Sequence, residues 1–441
     1  GLVSFINFRY MNDKKQSGEV DFDPDRDRGA TNRWGSEINT QRLDLATKVG
    51  YVFKDMPFQS IGFQNAFTLH DQNSYYGLNV YDIKQNSFYS NLIFNSIINN
   101  TKHKFATGIN FAYDNYNEFV GLTDYGRVDN SVGTFFEYTY DNDDNFSLVL
   151  GGRVDNHNRL GTFVTPRLHL RYNPWEKSVL RFSAGRGKRA ANIFAENQSL
   201  FASSRTFSIL DTDGKIYGLN PEIAWNYGLS FNQKFQLFGR NGDAGFDLYR
   251  TDFQNQAVVD VMQSPQQVLF YNLKGKSYAT SLQIEFNYEL ANRFSLRSAY
   301  KYYDIQTQYL SGVYQRPLQA KHRFFGNLEY ETGRSESGSQ WRFDATYNWL
   351  GKQQLPVTAS NPAQDRLPEF SPSYNLINAQ VTHVFSSNFE IYVGGENIGN
   401  YKQSKAILGA ETPFGPTFDA SIVYAPIFGQ MYYAGLRFKI K

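Results

Sequence analysis

The chain has 441 residues, a formal net charge of +2, 20% charged and 17% aromatic residues, and no cysteine. Its mean hydropathy of −0.52, with no apolar run near the roughly 18–20 residues of a transmembrane helix, excludes a helical membrane protein. The balanced charge excludes a basic field for nucleic acid and an acidic tail. What remains is a chain rich in β-formers, with 38 Phe and 31 Tyr, free of thiols that could mispair in an oxidising compartment.

Gly1 stands directly at the head of a strand, GLVSFINFRY, with no signal peptide before it, so further sequence is expected upstream. From there the dominant pattern is alternation with period 2, the mark of strands with one apolar face. About eighteen strands are predicted, near 2–11, 41–54, 58–73, 83–98, 103–120, 126–141, 146–156, 162–173, 178–189, 222–237, 243–256, 275–289, 294–307, 319–331, 339–350, 373–385, 389–398 and 430–440. The clearest is 281–288, where Leu282, Ile284, Phe286 and Tyr288 oppose Ser281, Gln283, Glu285 and Asn287. Soluble sandwiches alternate too, but their strands run to about 5–6 residues. Strands of 9–11 residues or more suit a tilted membrane crossing. Connections also alternate. Short ones such as Lys54–Pro57, Asn99–Lys102, Asp141–Asn145 and Leu290–Arg293 are separated by longer ones near 12–40, 74–82, 190–221, 257–274, 308–318, 351–372 and 400–429. Short periplasmic turns and long extracellular loops define an outer-membrane barrel. The fold class is therefore all-β, a transmembrane antiparallel β-barrel over residues 1–441, with the aromatics assigned to interfacial girdles and loop rings such as Tyr75, Tyr76, Tyr81 and Phe370 left open as a stacking surface for a ligand.

Several segments carry a resemblance. Residues 180–197, LRFSAGRGKRAANIFAEN, then Ser203-Ser-Arg205, LNPEIAWNYG at 219–228, YRTDFQNQ at 249–256 and NLKGKS at 272–277 look like the mid-barrel signature of TonB-dependent receptors. GGENIGN at 394–400 and PFGPTFD at 413–419 are similar to Bacteroidota members of that family. The resemblance implies a barrel of 22 strands around a plug, a class of plugged lumen. About four strands, the plug and the box that receives TonB would then lie outside this chain. It implies as partners TonB, the chain's own plug, outer-membrane lipid, a small-molecule or chelate substrate and a surface lipoprotein, with no nucleic acid. One departure is the end of the chain at Lys441, where barrels often close on an aromatic residue; Phe438 and Ile440 would serve recognition by the assembly machinery instead. Candidate substrate-binding residues are those in the loop that carries the signature: Arg186, Arg189, Asn192, Glu196, Asn197 and Arg205. Arg181, Arg186 and Arg189 are expected to face the lumen or its mouth.

The loop DFDPDRDRG at 21–29 places Asp21, Asp23, Asp25 and Asp27 at alternate positions, a spacing that hard cations such as calcium favour. It lacks a glycine at the sixth position and a glutamate at the twelfth, and Arg26 and Arg28 offset its charge, so a solvated loop stands beside calcium as the reading. His70, His103, His157, His169, His322 and His383 have no ligand spacing. GRGKR at 185–189 lacks the Ser/Thr and the strand–helix context of a phosphate loop. No serine lies in a nucleophile elbow, so no enzyme is expected. The functional expectation is energy-coupled uptake of a scarce nutrient across the outer membrane, with a passive porin or structural barrel as the alternative. Iron chelates, cobalamin, copper, peptides and glycans all stay open as substrate.

Overall fold

The computed structural model describes residues 1–440. One large antiparallel sheet of 20 strands dominates it. Two of the 20, Thr123–Asp124 and Gly312–Gln315, only lengthen hairpins, which leaves eighteen wall strands, each paired with its neighbours in chain order. The predicted 222–237 strand is reproduced as Glu222–Leu237. The strand predicted near 275–289 is Ser277–Ala291, in which Leu282 sits opposite Leu248 and Tyr302.

Directly opposed residues of an antiparallel pair share a face, so the two sides of the wall can be followed across the sheet. One side carries Leu248, Leu282 and Tyr302, then Ile284 and Phe286, the last two 47% and 38% exposed. The other carries Asp247, Gln283 and Lys301. Polar pairs knit this second face: Asn287 Nδ2 donates to Asp243 at 2.9 Å, and Arg153 pairs with Asp155 at 2.6 Å. A sheet with an apolar outer side and a polar inner side is what a bilayer around an aqueous lumen requires. Near the short turns the outer side carries Trp341 stacked on Phe343 at 6.3 Å and Phe385 on Phe389 at 5.4 Å, rings that fit an interfacial girdle.

Five strands at the start of the chain are longer than expected. Leu2–Gly18, Gly35–Val52, Ser60–Tyr76, Asn79–Ile98 and Asn100–Val120 span 17 to 21 residues, about twice a membrane crossing. Their upper halves stand clear of lipid, where neither face needs to be apolar. The ladder continues there on polar pairs, including Lys14 with Glu37 at 2.8 Å and Ser17 with Ser36 at 2.8 Å. The loop expected at 12–40 is therefore only 19–34, and the one expected at 74–82 shrinks to the turn Gly77–Leu78. Gly77 adopts φ +60, and a Cβ there would lie 2.4 Å from the Trp34 indole nitrogen, so the turn needs glycine on both counts.

The strand Leu2–Gly18 pairs only with Gly35–Val52, and Met431–Phe438 only with Phe389–Glu396. Among the described residues the sheet is thus open, with these two strands as its edges. Short turns gather at one end of the wall and long loops at the other. A cysteine at exposed Asp25 is expected to react with a membrane-impermeant maleimide on intact cells, whereas one at Asp143 should react only after permeabilisation. Labelling of Asp143→Cys on intact cells would invert the assigned topology.

Candidate functional site

The buried core lies at the long-loop end. Its largest wholly buried side chains include Tyr81, Phe194, Phe201, Phe270 and Tyr271. Tyr81, Ile83 and Tyr116 share the parity of Asn91 and Asn110, luminal residues opposed across the same pair of strands. Phe201 stacks on Tyr81 at 5.3 Å, and Gln72 Nε2 donates to Gln198 Oε1 at 3.2 Å. The 190–221 loop therefore folds inward, against the luminal side of the wall, and fills part of the mouth. A three-stranded sheet stiffens it: Thr206–Ile209 runs parallel to Gln267–Asn272, which pairs antiparallel with Ala257–Asp260.

A buried charge network fastens this loop to the wall. Glu118, with no exposed surface, accepts from Tyr81 Oη at 3.0 Å, from Arg127 Nη1 at 3.0 Å and from the Tyr217 hydroxyl. The Arg127 guanidinium also meets Asp129 at 3.1 Å and Asn192, and lies 3.9 Å from the Tyr116 ring centroid. Burial, reinforced by the Glu118 carboxylate, pushes the Tyr217 phenol above its ordinary range, so it stays a donor. Every lone pair and proton of the Glu118–Arg127 pair that matters has a partner, which buried charge demands.

The candidate residues divide by position. Arg189 donates to Glu222 at 2.6 Å and bidentately to Glu196 at 2.9 Å, while Glu196 also accepts from the Asn192 amide at 3.0 Å. Asn197 Nδ2 caps the Ile193 carbonyl at 2.7 Å. Arg189, Asn192, Glu196 and Asn197 are thus brought together at the root of the inward loop. Arg205 lies apart, almost wholly buried, with its Nε on Asp419 at 2.9 Å and Nη1 on the Ser264 carbonyl at 3.1 Å. It ties the 190–221 loop to the 397–430 loop, whose Phe418 also packs on Trp34 at 5.0 Å. Loops from both edges of the sheet converge over the mouth. Arg181 faces the lumen, directly opposite Arg171, and neither has an acidic partner within 4 Å among the described residues. Arg186 departs from expectation. It sits opposite Trp225, in the row that continues Phe182 and Ala184, on the outer side of the wall.

The four aspartates of the 21–29 loop do not converge, and among the described residues no three His, Cys, Asp or Glu side chains gather as a metal set. Asp23 caps the short helix Pro24–Asp27 by accepting from the Asp25 amide at 3.0 Å. Asp27 is turned inward onto Arg26 at 2.7 Å and the Asp23 amide at 2.9 Å. The Arg26 guanidinium, and after it that amide, hold the Asp27 carboxyl down at about 2. A folded-state value below the unfolded one, about 3.9, adds stability that is complete above about pH 5 and is lost as the pH falls through about 2. Protection of the amides in residues 21–29, taken relative to the intrinsic exchange rate at each pH, should accordingly fall as the pH drops toward 2 in the native chain, and this step should vanish in Asp27→Asn.

An open amphipathic antiparallel wall with a girdled outer side, a polar inner side and loops folded into its mouth defines a β-barrel protein of the outer membrane. The chain belongs to the TonB dependent receptor-like, beta-barrel family, whose sequence model matches residues 3–398. Solved structures agree on the fold. The siderophore receptor PiuA from Acinetobacter baumannii superposes with a TM-score of 0.66 at 13% identity, over 99% of this chain and 72% of that one. The copper transporter OprC gives 0.67 at 12% identity, over 98% and 71%. A ferric enterobactin receptor from Pseudomonas aeruginosa gives 0.59 at 12% identity, over 92% and 69%. No curated protein sequence matches the chain at a significant level.

Proposed function

We propose that this chain is the wall and mouth of a transporter that takes up a scarce nutrient, such as an iron chelate, across the outer membrane with energy delivered through TonB. The observation that carries this reading over a passive pore is the packed core in the mouth. Phe194, Phe201, Phe207 and Phe270 fill space that an open channel leaves to water, and Glu118 and Arg127 hold them there. The two unpaired sheet edges support placement in a larger barrel, because an unpaired backbone group in hydrocarbon costs several kcal/mol. A plug inside that barrel and a lipoprotein over its loops belong to the same reading. Structural relatives described as siderophore receptors and a copper transporter favour a metal-bearing cargo. Arg189, Asn192 and Glu196 would line its entry, and the unpaired Arg171 and Arg181 would favour an anionic cargo on the luminal side.

The test is uptake by cells carrying the complete gene. Growth on a panel of ferric chelates under iron starvation, with and without TonB, should show one chelate whose use needs both proteins. Accumulation that persists unchanged without TonB would support the porin instead.

A further inference from the structure

The outer side of the wall holds a groove of about 560 Å³, lined by Leu150, Gly152, Pro166, Leu168, Ala184 and Trp225 among others. Small side chains create it: Gly152 lies directly opposite Pro166, and Ala184 opposite Leu168. The ladder between Gly161–Tyr172 and Ser178–Arg189 ends at the pair Arg167 and Gly185. Ser178–Arg189 nevertheless stays paired on its other side up to Arg189 and Glu222. The two strands therefore part above the groove, on the side of the long loops.

Arg186 stands at the top of the groove, opposite Trp225. Its Nε donates to Gln254 at 3.1 Å, which leaves its terminal nitrogens without a partner among the described residues. Across the neighbouring strands the outer face turns polar over two successive rows: above Phe182, Leu229, Leu248, Leu282 and Tyr302 come Ala184, Tyr227, Arg250, Thr280 and Asp304, and one pair higher Arg186, Trp225 and Asp252. A change of this kind on the long-loop side is what a wall requires where it leaves hydrocarbon for the headgroup layer. Arg250 there is partly committed, paired with Asp252 at 2.7 Å and lying 3.8 Å from the Tyr278 ring centroid. The other acid, Asp304, accepts from Tyr278 at 3.0 Å and is met by Lys321 at 3.4 Å. Among the described residues neither Arg186 nor Lys188 has an acidic partner; Lys188 is turned onto the Leu160 carbonyl at 2.9 Å and the Phe163 ring, which leaves Arg186 as the charge at the groove.

We infer that this groove and Arg186 form a binding site for a phosphorylated glycolipid of the outer leaflet, with an acyl chain in the groove and a phosphate on the guanidinium. Arginine at a lipid boundary keeps its head at the polar layer while its stem packs on apolar surface. Its planar fork suits a phosphate, to which charge-assisted hydrogen bonds are strong. The groove is mostly apolar, and the one cation in its lining, Arg167, is paired with Glu137 at 2.7 Å, so it accepts a chain but gives no reason for headgroup choice; Arg186 supplies that.

The full receptor, extracted from its outer membrane in mild detergent, should retain about one phosphorylated glycolipid per barrel in native mass spectrometry. Arg186→Ala removes the anchor. Gly152→Leu fills the groove, and a Cβ at Gly152 meets nothing within 4 Å, so the wall itself is not strained. Each should weaken retention roughly tenfold, equivalent to about 1.4 kcal/mol, with heat-modifiable migration unchanged, and Arg186→Lys should restore part of it. Retention equal in all variants would mean annular lipid only and would overturn the site. Retained lipid that proves to be a glycerophospholipid would overturn the assigned occupant.

Discussion

Ile284→Arg should cripple assembly of the barrel, while Gln283→Arg, one residue away, should leave it nearly intact. Ile284 lies at the centre of the Ser277–Ala291 strand, opposite Phe246 and Tyr300, and is 47% exposed on the outer face. An arginine at the bilayer midplane of a barrel costs about 2–4 kcal/mol. Gln283 points the other way, between Asp247 and Lys301, and donates to Glu285. An arginine there gains the Asp247 and Glu285 carboxylates and remains in water. The measurement is the heat-modifiable fraction in outer membranes, with refolding into lipid vesicles across a urea series as the energetic readout. Equal losses from the two substitutions would show that the faces are wrongly assigned, and with them the lumen.

That assignment was legible in the sequence because Leu282, Ile284, Phe286 and Tyr288 announce a face by themselves. The same held for the number of wall strands and for the short turns, where Asn99 and Asp143 take the left-handed conformation their side chains tolerate. Legibility failed for three physical reasons. Above the membrane both faces are wet, so the strand from Met11 to Gly18 lost its alternation while keeping its ladder. In SAGRGKR, residues 183–189, alanine and glycine carry no facial signal, and only the register with Trp225 shows that Arg186 lies outside. The inward loop was hidden because its contacts are distant in sequence. Arg205 finds Asp419 across 214 residues, and no local spacing reports such a pair. Phe194, Phe201, Phe207 and Phe270 carry no mark of their own in the sequence, since composition cannot separate a lipid-facing ring from one packed in the mouth.

Arg127→Met should release the inward loop without unfolding the wall. Arg127 sits where the Arg127–Asp141 strand emerges from the mouth, and it is the only cation on Glu118 among the described residues. Removing it leaves the Glu118 carboxylate buried with only the hydroxyls of Tyr81 and Tyr217. Breaking one side of a buried ion pair costs about 3–5 kcal/mol. The loss must appear where the chain can move to relieve it. Every wall strand but the two at the edges is held by ladders on both sides, whereas the Ile193–Phe201 and Ile216–Leu219 parts of the 190–221 loop lean on Tyr217, Asn192 and the aromatic core. Amide exchange should therefore quicken across Ile193–Phe201 and Ile216–Leu219 and stay slow in Asn100–Val120 away from its upper end. Adding Glu118→Gln to Arg127→Met removes the stranded charge, so the double variant should recover much of the protection, as buried pairs replaced on both sides usually do. If the single variant exchanges like the native chain, the network does not hold the loop. If the double variant is worse than the single one, the stranded carboxylate is not the source of the loss. In the first case the mouth would be held by the aromatic core, the Thr206–Ile209 ladder and Arg205 on Asp419, and the charge pair would have to serve the cargo.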